Sequence, residues 1–464
     1  MTADPIIVVG AGPAGLAQAL YLARLRGRRV MVVEQQADIG GNWASVRTPW
    51  GLVDRGVLIP HEVGVSAFDE LFYEVLPHAS WNLLEGARRD ISGNIFRGHI
   101  DQGSLYPDLR RLERHEYARC RAEIISRASG QRPGIADARS LHEFLSCRFG
   151  PSTTELVHRL ISEKFWRLPL QQMSAWAGKV VHVARVVLDS AEASIELKKD
   201  PLLDAVIGYP DQLRIPASMQ SSRRAFYPKK FGLSTVIGAF REALASQGVE
   251  LLTSTAIVGI HTADKRIGGI DLATPAGPRH EAASAVLWTS PLAGLGKILQ
   301  LKFPEPPDAP IPHRVVHLFL DRAPNTGELY WLWSYDGSNS ITRFTNYAAY
   351  CPDAASGGTF PVCVETHIDP ARADDGAVVA QVEKEIRECG LIEAATRIVG
   401  SAVLPAVRVF PISSIANCDA LAKQRRAVEQ LGLQNLLLSN QDISAGRFYL
   451  ADILAASVPL LEEL

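Results

Sequence analysis

The chain has 464 residues, 47% of them hydrophobic, and a formal net charge of -2 from 48 basic and 50 acidic side chains. A single core rarely grows beyond roughly 250–300 residues, so two lobes are expected; the near-neutral charge gives nucleic acid no electrostatic hold, and no run of about 18 apolar residues is present to span a membrane. The six cysteines (120, 147, 351, 363, 389 and 418) form no CxxC pair and the histidines no HExxH, which predicts free thiols in a cytoplasmic protein and no metal centre.

In chain order the first signal is the apolar run Ile6-Ile7-Val8-Val9. It is too short for a signal peptide and lacks a basic segment before it, but it suits a strand buried on both faces. It ends in Gly10-Ala11-Gly12-Pro13-Ala14-Gly15, after which Leu16 to Leu25 has helical spacing and a second apolar run, Val30 to Val33, ends at Glu34. Strand, glycine turn, helix, strand and acidic residue in this order are the fingerprint of a dinucleotide-binding βαβ unit. Gly10 permits the tight turn, Gly12 lets the backbone approach a pyrophosphate, and Gly15 lets helix and strand pack closely. The helix N-terminus offers N–H groups and partial positive charge to the phosphates. Glu34 can accept hydrogen bonds from ribose hydroxyls and would repel a 2′-phosphate, which argues against NADP.

Ile39-Gly40-Gly41-Asn42-Trp43 follows closely, and then Gly51-Leu52-Val53-Asp54-Arg55-Gly56. Paired glycines here and a short strand ending in Asp-x-Gly resemble the family that contains amine oxidases, protoporphyrinogen oxidase and UDP-galactopyranose mutase. The resemblance implies an α/β fold: a Rossmann-type FAD-binding lobe with an inserted mixed α+β substrate lobe. It implies non-covalently bound FAD, with Gly10, Gly12, Pro13, Ala14, Gly15, Glu34, Gln35, Gly41, Asn42 and Trp43 among the cofactor contacts.

Further on, Phe68 to Leu76 has helical spacing, and Ile91 to Phe96 reads as a hairpin about a Ser-Gly-Asn turn. Residues 110–165 read as helices, with Ser140 and Glu143 spaced as a capping box. Glu163-Lys164-Phe165-Trp166 resembles a stretch of the mutase branch. After Ala225-Phe226-Tyr227-Pro228 a helix is expected from Val236 to Ser246, then a strand at Gly248 to Leu252 and another at Ala256 to Ile260. In relatives the residue at the position of Ile257 clamps the adenine. Ala285 to Pro291 is expected to be the strand returning to the nucleotide lobe. Ala293-Gly294-Leu295-Gly296 lacks a preceding strand and a third glycine, so no separate NAD(P)H domain is expected. Residues 314–320 and 329–346 look β-rich. Alternation puts Trp331, Trp333 and Tyr335 on one face, a substrate wall or packing between lobes.

The chain ends in Leu436-Leu437-Leu438-Ser439-Asn440-Gln441-Asp442, then Ser444-Ala445-Gly446-Arg447 and an apolar helix from Phe448. This resembles the family's last FAD motif, implying Gln441 and Asp442 near the ribityl chain. The FAD lobe is therefore expected from residues 1–75, 223–305 and 406–464, with 76–222 (mainly helical) and 306–405 (β-rich) forming the substrate lobe.

The expected function is FAD-dependent oxidoreduction of a small organic substrate. The alternatives are a redox-neutral isomerisation of a sugar nucleotide like that of UDP-galactopyranose mutase, and a non-catalytic flavin-fold protein. Thr342-Arg343-Phe344 and Gly446-Arg447 with Tyr449 and Asp452 resemble mutase segments, and an arginine pair suits a pyrophosphate. His61 stands near the position of a histidine that the mutases carry beside the flavin. The catalytic candidates are therefore Arg343, Arg447, Tyr449 and His61. Three of them have a plain structural alternative: Arg343 as a surface arginine, Arg447 paired with Asp442 or Asp452, and His61 as a hydrogen-bonded histidine.

Overall fold

The computed structural model describes residues 4–127, 132–181, 183–369, 371, 373–404 and 412–464. It is an α/β protein built on two large sheets. The first is a five-stranded parallel sheet with Ile6–Val9 at its centre. Val30–Val33 and then Glu250–Leu252 lie on one side, Ala285–Trp288 and then Leu436–Leu438 on the other. All four residues of Ile6–Val9 are buried, which stabilises the fold by roughly 1.5–3 kcal/mol per side chain and explains why the run is apolar without alternation. The helices Pro13–Leu25, Ser234–Ser246 and Leu450–Glu462 are grouped on one face, the first in contact with both of the others. A three-stranded antiparallel meander, Ala256–Ala263, Arg266–Thr274 and Gly277–Ala282, connects Glu250–Leu252 to Ala285–Trp288.

The second sheet has seven strands, and Arg314–Leu320, Phe360–Thr366, Ile341–Asn346 and Trp331–Ser334 are its consecutive inner members. Ser92–Phe96 joins it parallel to Trp331–Ser334, and His99–Asp101 closes that edge. A helical layer, including Arg114–Ser126, Leu141–Phe149 and Arg159–Trp166, has its own core around Phe144, Phe149, Ile161 and Phe165. The expected boundary near 405–406 lies outside the described residues.

Three local expectations change. Ser92-Gly93-Asn94 is not a turn but the start of the strand Ser92–Phe96; the hairpin turns at Arg97 and Gly98, both at positive φ. Gly93 stands there because a Cβ would come 2.3 Å from the Asp101 carbonyl oxygen, and Asn94 donates to the carbonyls of Ser104 and Tyr106. The first helix begins at Pro13 rather than Leu16, proline being well suited to a first helical position. Only half of the capping box forms: Ser140 accepts from the Glu143 N–H, while the Glu143 carboxylate turns to the Arg139 N–H and guanidinium.

All six cysteines are free. Among the described residues no helix is long and apolar enough to cross a membrane.

Candidate dinucleotide cradle and adjoining polar row

The central strand delivers the chain into the glycine turn. Gly10 has φ +103°, and a Cβ there would meet the hydroxyls of Ser290 and Thr289 at 2.7 and 2.8 Å. A Cβ on Gly15 would stand 2.0 Å from the Gly10 carbonyl oxygen, so the helix packs on the turn at a distance only glycine allows. A Cβ on Gly12 would meet nothing within 4 Å. Gly12 is the N-cap, no side chain caps the helix, and Pro13 follows. The three glycines thus divide into one turn, one close contact and one face open at an uncapped helix N-terminus, the arrangement that suits a pyrophosphate. Ala14 flanks the open face in the first turn.

Two further segments close on this turn. Gly40 N–H donates to the Ala11 carbonyl at 2.8 Å, which brings Gly41 against Gly12. Asn42 is exposed beside it, whereas the Trp43 side chain is buried against Phe72. The Glu34 carboxylate accepts from the N–H groups of Ala11 and Gln36, both at 2.8 Å, which fixes the acid at the mouth of the turn; Gln35 is exposed. Thr255 N–H donates to the Glu34 carbonyl, so the strand bearing the buried Ile257 starts next to the acid.

The Asp-x-Gly segment is anchored from below. Asp54 is buried and accepts from the hydroxyls of Ser45 (2.6 Å) and Tyr227 (2.5 Å) and from Leu233 N–H. Burial raises its carboxyl above the usual range, and the hydrogen bonds from Ser45 and Tyr227 work against that rise. Tyr347 donates to the Asp54 and Gly56 carbonyls.

Gly56 abuts the large sheet. There the register sets Trp333 opposite Arg343 and Arg343 opposite Glu365, so the three share one face. Arg343 Nη2 lies 2.5 Å from Glu365 Oε1, and its guanidinium sits 5.0 Å from the Trp333 ring centroid. The other carboxylate oxygen meets His313 Nε2 at 2.9 Å. A Cβ on Gly56 would strike Glu365 at 2.9 Å. Burial would raise the Glu365 carboxyl, but the Arg343 charge and the His313 hydrogen bond outweigh it and hold it down at about 2. Phe165 packs edge-on against Trp333 and against the ring of His367. Lys164 donates to Ser334 Oγ, the Asp336 carbonyl and Asn339 Oδ1, and burial pulls its ammonium down to about 7.

The terminal turn is also densely paired. Asp442 caps the 3-10 turn Ile443–Ala445, and its Oδ2 receives Arg447 at 2.6 Å and Arg425 at 2.9 Å. Asn440 accepts from Arg425, and Gln441 donates to the Phe448 carbonyl. Arg447, Asn440 and Arg425 line a cavity of about 420 Å³ between the helices Ile415–Glu429 and Leu450–Glu462; no residue of the glycine turn lines it. Tyr449 donates to the Lys179 carbonyl and lies within electrostatic reach of Arg343. His61 is hydrogen-bonded to Asp90 at 3.0 Å, and among the described residues no hydrogen bond or ion pair joins it to Arg343, Arg447 or Tyr449.

The structure therefore gathers the glycines, Ala14, Glu34 and Gly41 around one turn, turns Trp43 into the core against Phe72, and pairs Arg343 with Glu365 and Tyr449 with the Lys179 carbonyl. It places Arg447 with Asp442 and His61 with Asp90. Glu365, His313 and Asp54 were not among the candidates. The signal for Glu365 was a carboxylate ending the apolar run Val362-Cys363-Val364, where a charge needs a partner.

A parallel sheet with an uncapped glycine turn, beside a large antiparallel-rich sheet, defines an α/β protein with a Rossmann-like unit at its amino-terminal end. Residues 8–78 match the family model described as an NAD(P)-binding Rossmann-like domain. Reduced UDP-galactopyranose mutase superposes with a TM-score of 0.75 at 17% identity, over 99% of this chain and 95% of that one. A protein from Exiguobacterium sp. 255-15 assigned as a protoporphyrinogen oxidase gives 0.67 at 17% identity, over 100% and 99%. Putrescine oxidase bound to putrescine gives 0.60 at 14% identity, over 99% and 98%. The chain shares the fold of these three structures over nearly its whole length.

Proposed function

We propose that this chain binds FAD non-covalently and is an FAD-dependent oxidoreductase acting on a small organic substrate. Binding of the dinucleotide is supported by the open face at Gly12, the uncapped helix start and the Glu34 carboxylate held at the mouth of the turn. Gly41, Asn42 and Ile257 would border it, with Gln441 and Asp442 at the far end. The flavin ring supplies hydride acceptance when bound. The chain's own part is to orient the substrate and to exclude water. Trp333 and the Arg343–Glu365–His313 row beside Gly56 form the wall suited to that task, and Tyr449 adds a phenol within electrostatic reach of Arg343.

The observation that carries oxidoreduction over the sugar-nucleotide reading is the pairing of the arginines. Arg343 is neutralised by Glu365, and Arg447 and Arg425 share Asp442. A pyrophosphate would have to displace carboxylates already in place, whereas a weakly charged organic substrate meets a row whose charge is balanced. The isomerase reading is supported by the fold likeness to the mutase, at a TM-score of 0.75, and by the segments around Lys164, Arg343 and Arg447 that resemble the mutase branch.

The test is an absorbance titration of the purified protein under anaerobic conditions. Bleaching of the oxidised flavin band by an amine or another small organic reductant is the expected result. Conversion of a sugar nucleotide by the dithionite-reduced protein, with no compound bleaching the oxidised form, would overturn it.

A further inference from the structure

The three-stranded meander carries a polar cluster that the chemistry above does not use. Asp271 lies on its middle strand, directly opposite His280, while His261 is two residues along from Gly259, the residue opposite Asp271 on the other side. All three side chains point to the solvent face, away from the buried Ile257, Ile267, Ile270 and Leu272. His261 Nε2 lies 2.6 Å from Asp271 Oδ2, and His280 Nδ1 lies 2.8 Å from Asp271 Oδ1. One ligand atom from each of the three falls within 4.8 Å of the others.

Two glycines clear the ground around this cluster. A Cβ on Gly259 would come 2.8 Å from Asp271 Oδ2, and one on Gly269 would come 2.8 Å from His280 Nε2. The side chains therefore lie across glycine positions in the neighbouring strands, held by sheet register rather than by flexible loops.

We propose that His261, Asp271 and His280 form a binding site for a borderline divalent cation of the zinc class. Two imidazoles and one carboxylate are the ligand types such cations prefer, and three protein ligands leave positions open for water. In the metal-free protein the carboxylate bridges the two imidazoles by hydrogen bonds. On binding, the metal takes the place of those protons: each imidazole stays neutral by carrying its one proton on the ring nitrogen turned away from the metal and gives the lone pair of the other nitrogen, and the carboxylate gives an oxygen. Ligand atoms about 2 Å from a metal need mutual separations near 3.3 Å, so each contact opens by well under 1 Å. The bound cation then ties the three strands of the meander together, the edge strand that carries Ile257 included.

The spacing His-x9-Asp-x8-His is no linear motif, so the expectation of a metal-free protein drawn from the sequence did not reach it; only the pairing of three strands brings the residues together.

The test uses the full chain without a histidine tag, stripped with chelator and titrated with zinc chloride by calorimetry at pH 7.5. One equivalent bound at micromolar affinity or tighter is expected, falling at least tenfold in Asp271→Asn, His280→Ala and His261→Ala. These exposed substitutions should leave cofactor absorbance per protein unchanged. Absence of stoichiometric binding by the unmodified chain, or binding retained within twofold in both Asp271→Asn and His280→Ala, would overturn the proposal.

Discussion

Glu365 stands between Arg343 and His313, giving one carboxylate oxygen to each. Because the carboxylate is buried, its loss leaves a guanidinium without a counter-charge. Glu365→Gln should cost about 3–5 kcal/mol at pH 7, read by denaturant unfolding. Its folded-state carboxyl is held at about 2 against an ordinary 4.5. The stabilisation is therefore complete above pH 4.5 and lost as pH falls towards 2. The unmodified protein should show this acid limb, of about 3 kcal/mol. A variant with the same limb would mean that other carboxylates govern it.

Lys164 gives a second limb of the same sign at higher pH. Burial lowers its ammonium from 10.5 to about 7. Between those values the unfolded chain binds the proton and the folded chain does not, so stability should rise with pH from 7 to 10.5. Lys164→Met should flatten that rise. Unfolding midpoints at pH 7 and 9.5 measure it, and equal slopes in both proteins would contradict the assignment.

Asp442 separates structure from turnover. Arg425 is the more buried of its two partners, so Asp442→Asn should destabilise by roughly 2–4 kcal/mol, more than Arg447→Ala. If Arg447 also faces substrate, Arg447→Ala should reduce turnover more than FAD retention. Loss of FAD alone, with turnover per bound flavin unchanged, would leave it a purely structural residue.

Two glycines of the turn should fail differently. Gly12→Val places its side chain in open space at the helix start, so the protein should fold but lose its yellow colour on desalting. Gly15→Ala puts a methyl against the Gly10 carbonyl and should lower stability itself by about 1–3 kcal/mol. Full flavin retention by Gly12→Val would remove the pyrophosphate assignment.

The nucleotide end was legible because its information is local. Ile6–Val9, the glycines, Val30–Val33 and Glu34 sit within a few dozen residues, and each has a composition that only one local structure satisfies. The polar row was not legible, since Trp333, Arg343, Glu365 and His313 meet only through strand register and a loop. Arg343 was singled out, yet nothing in its neighbours along the chain revealed a carboxylate on the adjacent strand. The Ser92-Gly93-Asn94 reading shows the reverse error. Turn-forming residues sit in a strand because tertiary contacts, the Asp101 carbonyl and two carbonyls for Asn94, outweigh local preference.

The parallel sheet draws its outermost strand, Leu436–Leu438, from near the end of the chain, and that strand pairs with Ala285–Trp288, itself far from Ile6–Val9 in sequence. Synthesis proceeds from the amino terminus at about 5–20 residues per second, so the nascent protein holds a finished glycine turn long before it owns the sheet's last edge. Until then Ala285–Trp288, apolar and buried in the finished protein, is an open edge able to pair with another chain. Variants that delay arrival of the carboxy-terminal segment should therefore show themselves first as lower soluble yield, before any change in the purified protein.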